Sequence, residues 1–372
     1  MRDHLLKLSF IILVLVLNSC IEPFSPPEIN SPDRYLVVDG FLNASNDTSW
    51  IELRHSQNTN DNATYSVESG ARLTVESEGG SVYTFTEYNS GRYRLLPVNI
   101  SPTDKYRLRI KRAGGQEYLS EYVKVSLTPP IDSINYRYDA GRDGMVIQVN
   151  THDQTNKTQF YRWKFEETYQ YRSAYISSLV YNPETKQIDY RNEDINLCWA
   201  TKKSNTIILG STIKLTSDII KDLPINVVAV NTNKLYIKYS ILVKQYGLSQ
   251  EEFEYWTNLA KTTQGTGSLF DPQPSQVTGN IKNVADVKEL VFGYFSVSKE
   301  EKKRIFMTPY LGQFPRCDPP DTVSVGDYMN SPAGYLMHYH GERQDTLIRT
   351  SYGCADCRAQ GGTTVKPSFW EF

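Results

Sequence analysis

Between residues 35 and 125 the chain is a succession of seven short runs, at 35–38, 50–53, 71–75, 82–85, 93–95, 106–110 and 118–125. Apolar or aromatic residues alternate with polar ones most clearly in Ala71-Arg72-Leu73-Thr74-Val75 and Tyr106-Arg107-Leu108-Arg109-Ile110, while Tyr35-Leu36-Val37-Val38 is apolar throughout. Successive side chains of a strand point to opposite faces, so a period of two gives an alternating run one apolar face. The runs are separated by turn-forming clusters such as Glu78-Gly79-Gly80, Asn89-Ser90-Gly91 and Ala113-Gly114-Gly115. Helix has almost no foothold here. Seven short strands at this spacing predict an immunoglobulin-like or transthyretin-like β-sandwich over 34–127.

Thr128-Pro129-Pro130 marks a boundary, because proline cannot donate to a sheet ladder and restricts the residue before it. A second β-domain is expected over 131–372, making the fold all-β with tandem sandwiches. Its clearest core strands are Tyr161-x-Trp163-x-Phe165 and Leu235-x-Ile237-x-Tyr239-x-Ile241-x-Val243. The intervening Arg162, Lys164, Lys234, Lys238 and Lys244 are then expected to face out. Residues 168–210, rich in Tyr, are too long for a plain loop and predict extra strands or a long hairpin. One short amphipathic helix is expected at 249–262. Ser249 with Glu252 forms a capping box there, Leu248 can staple onto Phe253, and Phe253, Trp256, Leu259 and Ala260 line one face.

The N-terminus fixes the compartment. Residues 1–20 comprise a short start with Arg2 and Lys7, an apolar run from Leu8 to Leu17, and Asn18-Ser19-Cys20. Ten apolar residues rise only about 15 Å as a helix, half the thickness a bilayer requires, so the segment reads as a signal peptide over 1–19. Its end resembles the lipobox of bacterial lipoproteins, which makes Cys20 the lipidated first residue and the membrane a partner. Ile21 in place of Asp favours the outer membrane. Pro23, Pro26, Pro27 and Pro32 make 20–33 a stiff tether.

Four cysteines remain, Cys198, Cys317, Cys354 and Cys357, in an oxidising compartment. Two disulfides are the expected reading, with three connectivities open. They would staple the C-terminal segment onto the neighbourhood of residue 198. Cys354-x-x-Cys357 is also the spacing of half a zinc site or a redox pair, and His338, His340, Glu342 or Asp345 are the nearest further ligands. No second close pair accompanies them, and Arg358-Ala359-Gln360-Gly361-Gly362 is poor material for the helix that a redox thiol needs. No metal or cofactor is expected.

Forty Lys and Arg against 42 Asp and Glu leave a net charge of -2, which argues against nucleic acid as the main ligand. No metalloprotease, nucleophile-elbow or phosphate-loop motif occurs. Glu166-Glu167 sit on a strand and point to opposite faces, while Glu251-Glu252 serve the helix start. Phe270-Asp271-Pro272 and Gly279-Asn280 are read first as turns and second as ligand contacts. The 26 Tyr suit glycan or peptide recognition and suit cross-strand pairing equally.

Several further pieces occur in a set order. They are Leu36-Val37-Val38-Asp39-Gly40, Tyr255-Trp256, the run from Gly267 to Val277, Gly279-Asn280-Ile281, and Gly293 to Ser298. Lys303-Arg304-Ile305, Cys354-x-x-Cys357, Gly361-Gly362 and Lys366-Pro367-x-Phe369-Trp370 follow. Through most of the mature length the chain resembles domain-of-unknown-function family 4249, outer-membrane lipoproteins of the Bacteroidetes. The resemblance implies a binding or accessory partner of a TonB-dependent receptor in nutrient uptake, and the anchor, the tandem β-architecture and the lack of catalytic motifs make a non-enzymatic role the expectation. A structural or adhesion module of the envelope and an envelope glycan or peptide hydrolase are the alternatives. Asp132-Ser133-Ile134, Asp321-Thr322-Val323 and Asp345-Thr346-Leu347 resemble the periplasmic O-glycosylation pattern of the same bacteria, making Ser133, Thr322 and Thr346 candidate acceptors.

Overall fold

The computed structural model describes residues 35–57, 66–264, 277–309, 311–312, 316–342 and 344–370. The leader, Cys20, the tether and residues 267–276, with the Phe270-Asp271-Pro272 candidate, lie outside the described residues.

The seven runs all become strands. β1 (Leu36–Asn43), β2 (Ser49–His55), β3 (Arg72–Ser77), β4 (Val82–Thr84), β5 (Thr86–Asn89), β6 (Arg92–Leu95), β7 (Lys105–Lys111), β8 (Glu117–Ser120) and β9 (Val123–Lys124) divide between two sheets. The inward residues of both, among them Leu36, Val38, Ile51, Leu73, Tyr93, Leu108 and Tyr118, form one core. The all-β sandwich reading holds.

A second sandwich follows. β10 (Ile131–Asp139), β11 (Gly144–His152) and β17 (Ile219–Ala229) make one sheet. β12 (Phe160–Arg172), β15 (Leu197–Lys203), β16 (Ile208–Ser211), β18 (Lys238–Gly247) and β21 (Glu300–Met307) make the facing one. Tyr161, Trp163, Phe165, Tyr239, Ile241 and Val243 fill its core as their period of two requires. Leu235 joins them from a 3-10 turn over Asn233–Leu235 rather than from the strand itself. The Pro129 carbonyl accepts a 2.7 Å bond from buried Gln245, whose amide oxygen accepts from Trp163 at 2.9 Å, so the linker is tied into the second core.

The domain division departs from expectation in one respect. β19 (Ile281–Asn283) and β20 (Val291–Ser298), assigned by sequence to the second domain, complete the first. β20 runs parallel to β1 in unbroken register, Leu36 to Val291 through Asn43 to Ser298, and β19 joins β8. Val291, Phe295, Val297 and Ile281 enter the first core. An otherwise open β1 edge would expose a row of unpaired backbone groups, and β20 covers it. Gly279-Asn280 is structural too: the Asn280 amide donates to Phe295 O at 2.8 Å and accepts from Phe295 N at 2.9 Å. It pins β20 from the first core's side.

A small third core assembles the long insertion with the C-terminal segment. The hairpin β13 (Leu179–Asn182) and β14 (Gln187–Tyr190) supplies Leu179, fulfilling the hairpin expectation for 168–210. β22 (Asp321–Ser324), helix α2 (Val325–Asn330, the next helix after α1 at Gln250–Thr263), β23 (Tyr335–His340) and β24 (Thr346–Thr350) add Tyr328, Leu336 and Leu347. Two disulfides hold it down, Cys198 to Cys357 and Cys317 to Cys354. The close pair is therefore split between two bridges, neither a redox pair nor half a metal site. A short helix, α3 (Tyr352–Ala355), leads into the second of these cysteines.

Candidate functional site

The two sandwiches meet through the outer faces of their sheets. On β1 the even residues enter the first core, which sends Asp39 and Phe41 outward; on β20 the same alternation sends out Tyr294 and Ser296. On β12 the odd residues enter the second core and send out Arg162, Lys164 and Glu166. These faces do not close on each other. They wall a cavity of about 540 Å³, within the range of small-molecule sites.

Helix α1 (Gln250–Thr263) forms one end of it. Ser249 Oγ accepts from Glu252 N at 3.2 Å, the expected cap. The reciprocal half of the box does not form as expected: the Glu252 carboxylate turns inward and accepts from Trp256 Nε1 at 3.1 Å. The residues that α1 buries are Glu252 and Tyr255, while Phe253, Trp256, Leu259 and Ala260 are half-buried. Phe253 packs on Phe160, with ring centroids 4.8 Å apart.

The wall's charges are of two kinds. Glu166 pairs with Lys244 at 2.6 Å, Glu52 with Arg54 and with Arg92 at 3.4 Å, and Glu300 with Lys302 at 2.7 Å. Asp39, Arg162, Lys164 and Glu252 have no such ion pair among the described residues. Arg162 Nε is buried without a hydrogen-bond partner, and the guanidinium carbon lies 3.4 Å from the Trp256 ring centroid. Burial lowers the Arg162 pKa against the pull of Asp39. For Lys164 the Asp39 charge opposes the shift, but burial and Arg162 together lower its pKa. The Lys164 charge in turn holds Asp39 below the usual carboxylate range. Asp39 keeps accessible surface, and that surface lines the cavity.

Glu252 goes the other way. Burial raises it from an ordinary 4.5 to about 7, with the Trp256 bond, Arg162, Ser296 and Lys164 opposing; Tyr294 also flanks it. The folded chain then holds a proton that the unfolded chain releases. The associated stability is complete below the ordinary carboxylate value and is lost as pH rises through about 7. Glu252→Gln is expected to flatten the pH dependence of urea unfolding across this window. Above it the variant should be more stable than the parent by up to about 3 kcal/mol. Parallel pH profiles for the two proteins would contradict this origin of the shift.

Arg162, Lys164 and Lys244, read from the sequence as facing out, do leave their own core, but they enter this cavity rather than bulk solvent. Glu166 and Glu167 do point oppositely: Glu166 lines the cavity, while buried Glu167 accepts from Tyr239 Oη at 2.8 Å and pairs with Lys234. Among the described residues no group of three or more His, Cys, Asp or Glu is arranged to hold a metal ion. His338 and His340 lie exposed on β23, with His338 Nδ1 2.9 Å from Tyr339 O. Of the candidate glycosylation sites, Thr322 and Thr346 lie on adjacent β22 and β24, on the face opposite core residue Leu347. Ser133 is half-buried in β10 and accepts from Asn150 Nδ2 at 3.1 Å. Cys20 lies outside the described residues, and no described helix is long and apolar enough to cross a membrane.

Among solved structures, the Yersinia pseudotuberculosis adhesin InvE aligns over 84% of this chain and 72% of its own, at 11% identity and a TM-score of 0.14. So slight a superposition carries no argument. No curated protein matches the sequence. The family model described as Domain of unknown function (DUF4249) matches residues 21–304, from just after Cys20 into β21, and the chain belongs to that family.

Proposed function

We propose that this chain is an outer-membrane lipoprotein that binds a small nutrient ligand as accessory partner of a TonB-dependent receptor. The observation that carries the binding role is the cavity between the sandwiches, whose wall holds charged groups that form no close ion pair among the described residues, Arg162 Nε being buried without a hydrogen-bond partner there. Unpaired buried charge is costly and is best compensated by a bound ligand. A non-enzymatic role fits its chemistry, since the wall's cations, carboxylates and aromatic rings suit a recognition surface rather than a hydrogen-bonded nucleophile and base. The anchor follows from the lipobox at Cys20, and the receptor partnership from the resemblance drawn above.

Affinity purification from native outer membranes is expected to recover one β-barrel receptor in stoichiometric amount. Recovery of the chain alone in repeated trials would contradict the partnership. Cys20→Ala should release the chain into the periplasm without loss of fold, measured by membrane fractionation and thermal unfolding. A variant that stays with the membrane would show that the anchor lies elsewhere.

A further inference from the structure

What the cavity takes is set by the charge that remains once the wall's own pairs are formed. Glu166, Glu52 and Glu300 are each neutralised by a basic neighbour. Arg162 and Lys164 remain, with Asp39 and Glu252 as the unpaired acids. Asp39 already lies under the combined charge of Lys164, Arg162 and Arg54. Glu252 carries only part of a charge near neutrality. Exposed Lys203 adds a further cation to the lining. The balance is a positive surplus suited to one small anion.

The geometry suits a carboxylate in particular. Arg162 and Lys164 are two residues apart on β12, so they leave the same face side by side, about 7 Å apart along the strand. Stacking on Trp256 fixes the plane of the Arg162 guanidinium, the condition for meeting a carboxylate with two parallel bonds. Phe41, Trp50 and Tyr246 add ring surface to the wall for the rest of a ligand. We propose that the cavity binds the carboxylate of a small ligand, with Arg162 and Lys164 as its donors and Trp256 holding the Arg162 fork in place. This rests on the binding role proposed above and names its ligand class. A short peptide's C-terminus and a uronic acid offer the same group.

The test is calorimetric titration of the full chain in detergent with four probes: trialanine, trialanine amide, a galacturonic acid disaccharide and a neutral disaccharide. Binding by an acidic probe but not its neutral counterpart is expected, and which acid binds identifies the source. Arg162→Met and Lys164→Met should each weaken that binding about 10- to 100-fold. Because the poorly solvated site disfavours both cations in spite of the pull of Asp39, each apo variant should melt at or above the parent temperature. That readout separates a ligand donor from a structural residue, whose loss would lower the melting temperature. Equal binding of acidic and neutral probes, unchanged affinity in both variants, or no binding by any probe at millimolar concentration would overturn the proposal. Receptor copurification with no carboxylate binding would overturn this inference alone and leave the receptor partnership standing.

Discussion

Gly293→Ala is expected to prevent the chain from reaching its folded state. Gly293 sits opposite Val38 in the β1–β20 ladder with φ near +109°, a conformation that a side chain rarely adopts. A Cβ built there would lie 1.8 Å from Val38 O, and the obstacle is backbone, which cannot rotate away. The substitution must therefore push β20 off β1. That exposes Leu36 and Val38 and withdraws Val291, Phe295 and Val297 from the first core. The combined cost exceeds about 4 kcal/mol, the range reserved for core disruption. Gly279→Ala should behave alike, since its Cβ would fall 1.4 Å from Gly293 O. Gly80→Ala is the control: its φ is +90° but nothing lies within 4 Å, so it carries only the backbone strain, about 1–3 kcal/mol. Near-ultraviolet circular dichroism and urea unfolding measure the difference. A Gly293→Ala chain as stable as the Gly80→Ala chain would contradict the β1–β20 pairing.

Paired replacement of Cys198 and Cys357 by Ala is the second large effect. The bridge joins residues 159 apart in sequence, so breaking it restores a large loop entropy to the unfolded chain, about 5 kcal/mol in the chain-entropy picture. The shorter Cys317–Cys354 connection, 37 residues apart, gives about 4 kcal/mol in the same picture. Packing widens the gap. Cys198 and Cys357 are fully buried in the second core, where Tyr171 Oη donates to Cys357 O at 2.7 Å and Ser173 Oγ donates to Ala355 O at 2.8 Å. Urea unfolding should rank the first double variant as the less stable. Limited proteolysis should cut it in the C-terminal segment first, because the third core is small and borrows its rigidity from the second. Equal stability of the two double variants would show that neither loop length nor burial governs the bridges.

The fold was largely legible because its cores follow the period of two. Tyr161, Trp163 and Phe165, like Tyr239, Ile241 and Val243, fall on one face in the structure as in the sequence. The site was less legible, for a physical reason. Alternation says which residues leave a strand's own core, not what they meet next, so Arg162 and Lys164 read as solvated when another sheet lies over them. β20 hid its allegiance in the same way. It serves the first core with Val291, Phe295 and Val297 and the cavity with Tyr294 and Ser296, a pattern that names no partner strand. Glu252 was masked by a sufficient local explanation: the position three residues after a Ser cap suits a capping acid, and only the packing of α1 against β12 and β20 shows its carboxyl directed inward. Asp39, a lone acid in the apolar run Leu36-Val37-Val38, was the one signal in the sequence that this edge faces something polar. The cysteines were legible as a set, but their connectivity depended on the third core, which long-range pairing alone defines.

A crystal structure of the full chain grown with the tighter-binding carboxylate probe is the most direct measurement of whether the sandwiches enclose a ligand site. The expected result is probe density between β1 and β12, its carboxylate within hydrogen-bond reach of Arg162 and Lys164, with Trp256 still stacked on the guanidinium. Probe bound elsewhere on the molecule, or sheets in direct contact with Arg162 and Lys164 paired to protein carboxylates, would contradict it.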